Sequence, residues 1–113
     1  NNQDISEGPS KRHFHNRLVQ QSGAYQNSTW VVGVAKAGIE DGNHMIGGSL
    51  IINPNGEIVV EAKTEEDELI IHDCDLTECD FGKKTVFDFS SHRRIEHYRI
   101  ISEQTGVITP IKN

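Results

Sequence analysis

A mixed helix-and-strand architecture, α+β or α/β in class and open on one side, is what this sequence predicts. Three observations carry it. A helical stripe lies near the start, a run of β-branched residues follows it, and a strand–turn–strand unit surrounds Pro54-Asn55-Gly56. One good helix and about four strands cannot cover both faces of a sheet, so further structure is expected to complete it.

Taken in order, Asn1 to Pro9 reads as a loop, polar and closed by the breaker Gly8-Pro9. Ser10 is the expected N-cap. From Lys11 onward, Phe14, Leu18, Ser22 and Tyr25 recur at helical spacing and put a narrow apolar stripe on one face. Gly23 weakens that helix but leaves room for a neighbouring backbone. Trp30-Val31-Val32-Gly33-Val34-Ala35 suits a strand buried on both faces. Ala37 to His44 reads as a loop hinged at Gly38 and Gly42.

Leu50 to Ile52 and Ile58 to Val60 flank the Pro54-Asn55-Gly56 turn and make a hairpin. Lys63 to Asp67 is a charged connection, and Leu69 to Cys74 a further strand. A short helix follows near Asp75-Leu76-Thr77-Glu78-Cys79, with Asp75 or Thr77 as its cap. Phe87 to Gly106 has an Ile95, Tyr98, Ile101 rhythm without a long regular pattern, and Thr105 to Asn113 reads as a frayed tail.

The bulk numbers narrow the class. A chain of 113 residues is enough for one domain with a modest core. Its first residue is Asn1 rather than Met, so a removed segment or a partial sequence is expected. A hydrophobic fraction of 35% is low for a self-sufficient globule. The net charge of −6 argues against nucleic acid and against an anionic membrane surface as partners. No apolar run nears the roughly 20 residues that span a bilayer, and no signal-peptide pattern is present. The two cysteines, Cys74 and Cys79, are too few for a disulfide framework, which fits a cytoplasmic location.

An ordered set of short markers carries a resemblance. These are Phe14-His15, then Gly23-Ala24-Tyr25-Gln26-Asn27-Ser28-Thr29-Trp30 and Gly38-Ile39-Glu40-Asp41-Gly42. Gly48-Ser49 follows, with Pro54-x-Gly56-Glu57-Ile58-Val59, then Glu66-Asp67-Glu68, Asp75-Leu76-x-x-Cys79, and His92-Arg93 with His97-Tyr98. In this order they resemble the nitrilase superfamily of carbon–nitrogen hydrolases, and within it the N-carbamoyl-D-amino-acid amidohydrolases, from about His13 to Ser102.

The resemblance implies the C-terminal part of a four-layer α-β-β-α sandwich, residues 1–86, followed by an extended arm and tail, residues 87–113. It implies an amidohydrolase that turns an N-carbamoyl amino acid into the amino acid, ammonia and carbon dioxide. Related amidases acting on carbamoylputrescine or 3-ureidopropionate share part of the pattern. The implied catalytic groups are a Glu, a Lys and a nucleophilic Cys that lie upstream of the matched region. No catalytic residue is therefore assigned within this chain, which is expected to be inactive alone. No cofactor or metal is implied, and a homo-oligomer is. Ile95 departs from the pattern, where proline is common, and Glu103 to Asn113 runs past the usual end. A non-catalytic module that associates through its sheet edge and arm is the alternative.

Individual residues carry two readings each. Asn27 supports the catalytic groups from behind, or it caps the helix in the left-handed conformation that asparagine tolerates; the cap is preferred. Asn27-Ser28-Thr29 is also a glycosylation sequon, taken as chance. The Ser49 hydroxyl reaches toward the catalytic pocket, or satisfies a neighbouring backbone group; the second is preferred. Lys36 reads as a solvated strand end. His72, Cys74 and Cys79 lack the paired frame of a structural zinc site, and Cys79 reads as a partly buried, inert thiol. His13 and His15 do not share a helix face, whereas His13 and Arg17 suit solvent or an acidic neighbour. Arg93, Arg94 and Tyr98 resemble the family's arginine–tyrosine arm and are candidates for contacts between subunits; the bland alternative is a surface with pairs such as Glu96 and Arg99.

Overall fold

A computed structural model describes residues 8–107 and 109 of the chain. Helix α1 spans Pro9–Asn27. Its cap is Gly8, not Ser10, which lies inside the first turn. Pro9 explains the shift: its fixed φ is preset for the first helical position, and its missing N–H would have had no helical partner there. The helix ends at Ser28, whose φ of 46° is left-handed and whose N–H turns back to the carbonyls of Ala24 and Tyr25. Ser28 thus takes the left-handed position expected of Asn27.

The α1 stripe exists but faces away from the sheet. Phe14, Leu18 and Tyr25 are exposed. The inward face carries Asn16, Arg17, Gln20 and Gln21, half-buried, and Ala24, fully buried. Close approach occurs at Gly33 rather than Gly23, where a Cβ would meet nothing within 4 Å. At Gly33 a Cβ would sit 2.0 Å from the Gln20 side chain.

Strand β1 is Val31–Gly33, β2 is Ala37–Glu40, β3 is Asn43–Ile46, β4 is Leu50–Ile52 and β5 is Ile58–Glu61. They form an antiparallel sheet ordered β1-β4-β5 and a separate β2-β3 hairpin. Ala24, Leu50 and Ile52 make the core beneath α1, with Val31 and Ile58 packed against it. The register sets Val32 opposite Ile51 and Ile51 opposite Val60, a β-branched row on the other face of the sheet. Val32 is 61% exposed there, and Val34 beyond it is also exposed. The expectation that Trp30 to Ala35 is buried on both faces therefore does not hold within this chain.

Two further expectations change. Ala37 to His44 is not a loop, because Asp41 (φ 51°) and Gly42 (φ 77°) close a two-residue turn that matches the twist of an antiparallel pair. Leu69 to Cys74 is not a strand: it forms no ladder among the described residues, and Leu69 and Ile71 are exposed. A strand exists only through its partner's hydrogen bonds, which local composition does not supply.

After the 3₁₀ turn Leu76–Glu78, helix α2 spans Cys79–Lys84, α3 Phe89–His92 and α4 Arg99–Ser102. Residues 87–107 hold short helical turns rather than one extended strand. From Asp88 onward, the hydrogen bonds among described residues close within the segment itself. The radius of gyration is 19.3 Å, against about 13 Å for a compact domain of this length. Among the described residues, no helix is long and apolar enough to cross a membrane.

Candidate functional site

Three clefts surround the small core. The first opens where β1 ends, lined by Val34 to Ala37, Gly47 to Ser49 and the acidic stretch Glu65 to Glu68, with a volume of about 330 Å³. The Ser49 hydroxyl lies in it but is engaged with the Ala35 backbone. It accepts from the Ala35 N–H at 2.9 Å and donates to the Ala35 carbonyl at 3.3 Å. Glu68 organises the acidic loop by accepting from the N–H groups of Lys63 and Thr64 at 3.0 and 2.9 Å. Those bonds, the Lys63 one foremost, hold its carboxyl below the ordinary range. Lys36 pairs with Glu40 at the surface.

The second cleft, about 380 Å³, is mixed in charge and lies between α1 and the end of β5, with His13, Arg17, Lys63, Glu61 and Glu65 on its walls. Arg17 Nε donates to Glu61 at 2.7 Å, which supplies the acidic neighbour expected for this helix face. His44 of β3 contacts Glu65. His13 Nδ1 is buried without a partner, pressed toward Gly48, where a Cβ would stand 3.0 Å from it.

The third cleft, about 470 Å³, is the most apolar. Tyr25, Pro54, Phe81, Val86 and Phe87 form its walls, with Glu57 and Glu78 at its edge. Its construction is legible residue by residue. Phe87 meets Tyr25 edge-on at 5.2 Å. Asn53 accepts from the N–H groups of Asn55 and Glu57 at 3.0 and 2.9 Å and so fixes the hairpin turn. The amides of Asn53 and then Asn55 donate to Glu57 and lower its pKa, which keeps it ionised. The α2 side is tied down twice. Ser28 Oγ donates to the Cys79 carbonyl at 2.8 Å, and the Trp30 indole to the Asp75 carbonyl at 2.9 Å.

The structure does not bring Asn27 and Ser49 together. Asn27 is exposed, its amide donating to the Gly23 carbonyl at 2.9 Å, at the end of β1 where the chain enters. Ser49 is at the end where it leaves. Arg93, Arg94 and Tyr98 are exposed on the segment after Phe87. Glu96 lies 3.9 Å from His97 instead of pairing with Arg99. His72 stacks near Trp30 at 5.5 Å, Cys74 is exposed and Cys79 is half-buried, both thiols free. Reading the sequence alone missed the Asn53 side-chain turn and the Ser28 tether. For Asn53 a signal existed, since Asn ahead of Pro-Asn-Gly favours such a turn. For Ser28 none did.

The carbon–nitrogen hydrolase family model matches residues 1–84. A protein described as "Hydrolase in agr operon" from Staphylococcus lugdunensis is 34% identical over 85 residues, covering 74% of this chain and 36% of that protein. Its counterpart from Staphylococcus aureus is 28% identical over 87 residues, covering 77% of this chain and 33% of that protein. The chain thus spans about a third of the length of these curated relatives. With its small mixed α and β architecture and a match over most of its length, this chain belongs to the carbon–nitrogen hydrolase family.

Proposed function

We infer that this chain supplies the C-terminal part of an amidohydrolase that cleaves a non-peptide C–N bond. Its substrate is an N-carbamoyl amino acid, and its products are the amino acid, ammonia and carbon dioxide. The catalytic Glu, Lys and Cys stand in preceding sequence. There the thiolate attacks the carbonyl, the Glu moves protons and the Lys stabilises the oxyanion.

One observation carries this reading: the row Val32, Ile51 and Val60 on the sheet face opposite α1, with Val32 61% exposed. A β-branched row of this kind is suited to a second sheet stacked about 10 Å away, the arrangement of a four-layer sandwich. In such a sandwich the cleft at Ala35 and Ser49 lies at one end of the sheet, with Ser49 holding the backbone of the β1 exit from behind. The exposed segment after Phe87 favours a homo-oligomer, with Arg93, Arg94 and Tyr98 at its contacts.

The test is to express the chain with its upstream coding region and assay N-carbamoyl-D-amino acids beside carbamoylputrescine and 3-ureidopropionate. Turnover of the first class by the longer protein, and none by residues 1–113 alone, is the expected result. Preference for either of the others would reassign the substrate, and turnover by the isolated chain would overturn the placement of the catalytic groups.

A further inference from the structure

The chain divides sharply in charge. Residues 1–86 carry 7 Lys and Arg against 14 Asp and Glu, a net of −7, and residues 87–113 carry 4 against 3, a net of +1. Arg93, Arg94 and Arg99 lie beside the exposed Ile95, Tyr98 and Ile101. That segment is therefore apolar and basic, and it forms no hydrogen bond with the rest of the chain among the described residues.

The Tyr25–Phe87 groove has the opposite character. Its walls are apolar, and its edge bears the carboxylates of Glu57 and Glu78. Glu57 is held in place by the amides of Asn53 and Asn55 at 3.0 and 3.4 Å. An aromatic floor with a fixed anionic rim matches a peptide of alternating apolar and arginine character, because Arg pairs with carboxylates in a planar, directed way. Phe87 is itself a wall of the groove, and the chain leaves from there with α3, so the segment starts at the groove without lying in it.

We propose that the groove formed by Tyr25, Phe81 and Phe87 receives the Arg93–Ile101 segment of a second copy of this chain, with Arg93 and Arg94 meeting Glu57 and Glu78. This deepens the homo-oligomer reading above by naming both surfaces. Exchange is reciprocal, so two grooves and two segments close one symmetric dimer.

Sedimentation equilibrium on the 113-residue chain tests it. The wild type dimerises, more weakly as salt rises. Arg93→Glu with Arg94→Glu weakens the dimer about tenfold or more, as like charges are set face to face. Glu57→Lys with Glu78→Lys does the same. Mixing the two variants restores a dimer, since each reversed segment then meets a reversed groove. Glu78→Lys alone leaves the Asn53–Glu57 turn intact and keeps the test decisive if the double change unfolds the hairpin. A monomeric wild type, a dimer indifferent to both reversals, or no recovery on mixing overturns the proposal. A dimer lost to Val32→Asp but untouched by the charge reversals also overturns it, while leaving the hydrolase reading in place.

Discussion

The Ser28 hydroxyl donates to the Cys79 carbonyl across 2.8 Å, from a residue that is only 1% exposed. It is the bond by which the end of α1 holds the start of α2. Ser28→Ala leaves that carbonyl without its donor and is expected to cost about 1–3 kcal/mol. Ser28→Gly loses the same bond but relaxes the left-handed backbone, so it is expected to cost less than Ser28→Ala. Urea unfolding of both variants measures the difference, and equal losses would remove the backbone part of the explanation.

Leu50 and Val32 belong to the same small sheet and predict opposite behaviour. Leu50 is fully buried under α1, so Leu50→Ala is expected to destabilise the chain by about 2–5 kcal/mol. Val32 lies on the uncovered face, so Val32→Asp is expected to change the stability of this chain by under about 1 kcal/mol. In the longer protein the same substitution is expected to abolish activity, because it buries an unpaired carboxylate between sheets. Comparing chain stability with activity of the longer protein separates the two faces.

The Asp41-Gly42 turn sets the β2–β3 hairpin through two positive φ angles. A Cβ at Gly42 meets no neighbour, so Gly42→Ala acts through backbone strain alone. It is expected to weaken the hairpin by about 1–2 kcal/mol. Faster hydrogen exchange of the amides of residues 43–46, with residues 50–52 unchanged, is the readout.

Acid should loosen the chain first at its side-chain-capped turns. Glu68, bonded by Lys63 and Thr64, and Asp75, bonded by Thr77, have pKa values lowered on folding. A lowered carboxylate contributes stability above its unfolded pKa and loses it as pH falls through its folded pKa. The effect therefore appears below about pH 4, where unfolded carboxylates are already protonating. Chemical-shift titration of the Thr64 and Thr77 amides follows it, and Glu68→Gln is expected to abolish the Thr64 response while leaving that of Thr77.

Much of the local structure was legible, and the misses have identifiable causes. Pro54-Asn55-Gly56 announced the β4–β5 turn, and Asp75 announced its cap, because each acts within a few residues of itself. Asp41-Gly42 carried an equally local signal that was passed over in favour of hinge glycines. At Gly8-Pro9 the same dipeptide serves as breaker or as helix start, and the helix start won. For the candidate site, the bland reading of Ser49 matches its bonds to Ala35, whereas Asn27 yields the left-handed position to Ser28.

By itself the sequence determined the family, the helix, the hairpin turn and the acidic body with its basic end, because these rest on residue identity and short-range spacing. Tertiary structure alone decided which way the α1 stripe faces, that Val32 stands uncovered, and that Leu69 to Cys74 stays unpaired. Periodicity marks an apolar face or a strand-prone run, but the partner that buries or pairs it is chosen by distant residues, which no local pattern encodes.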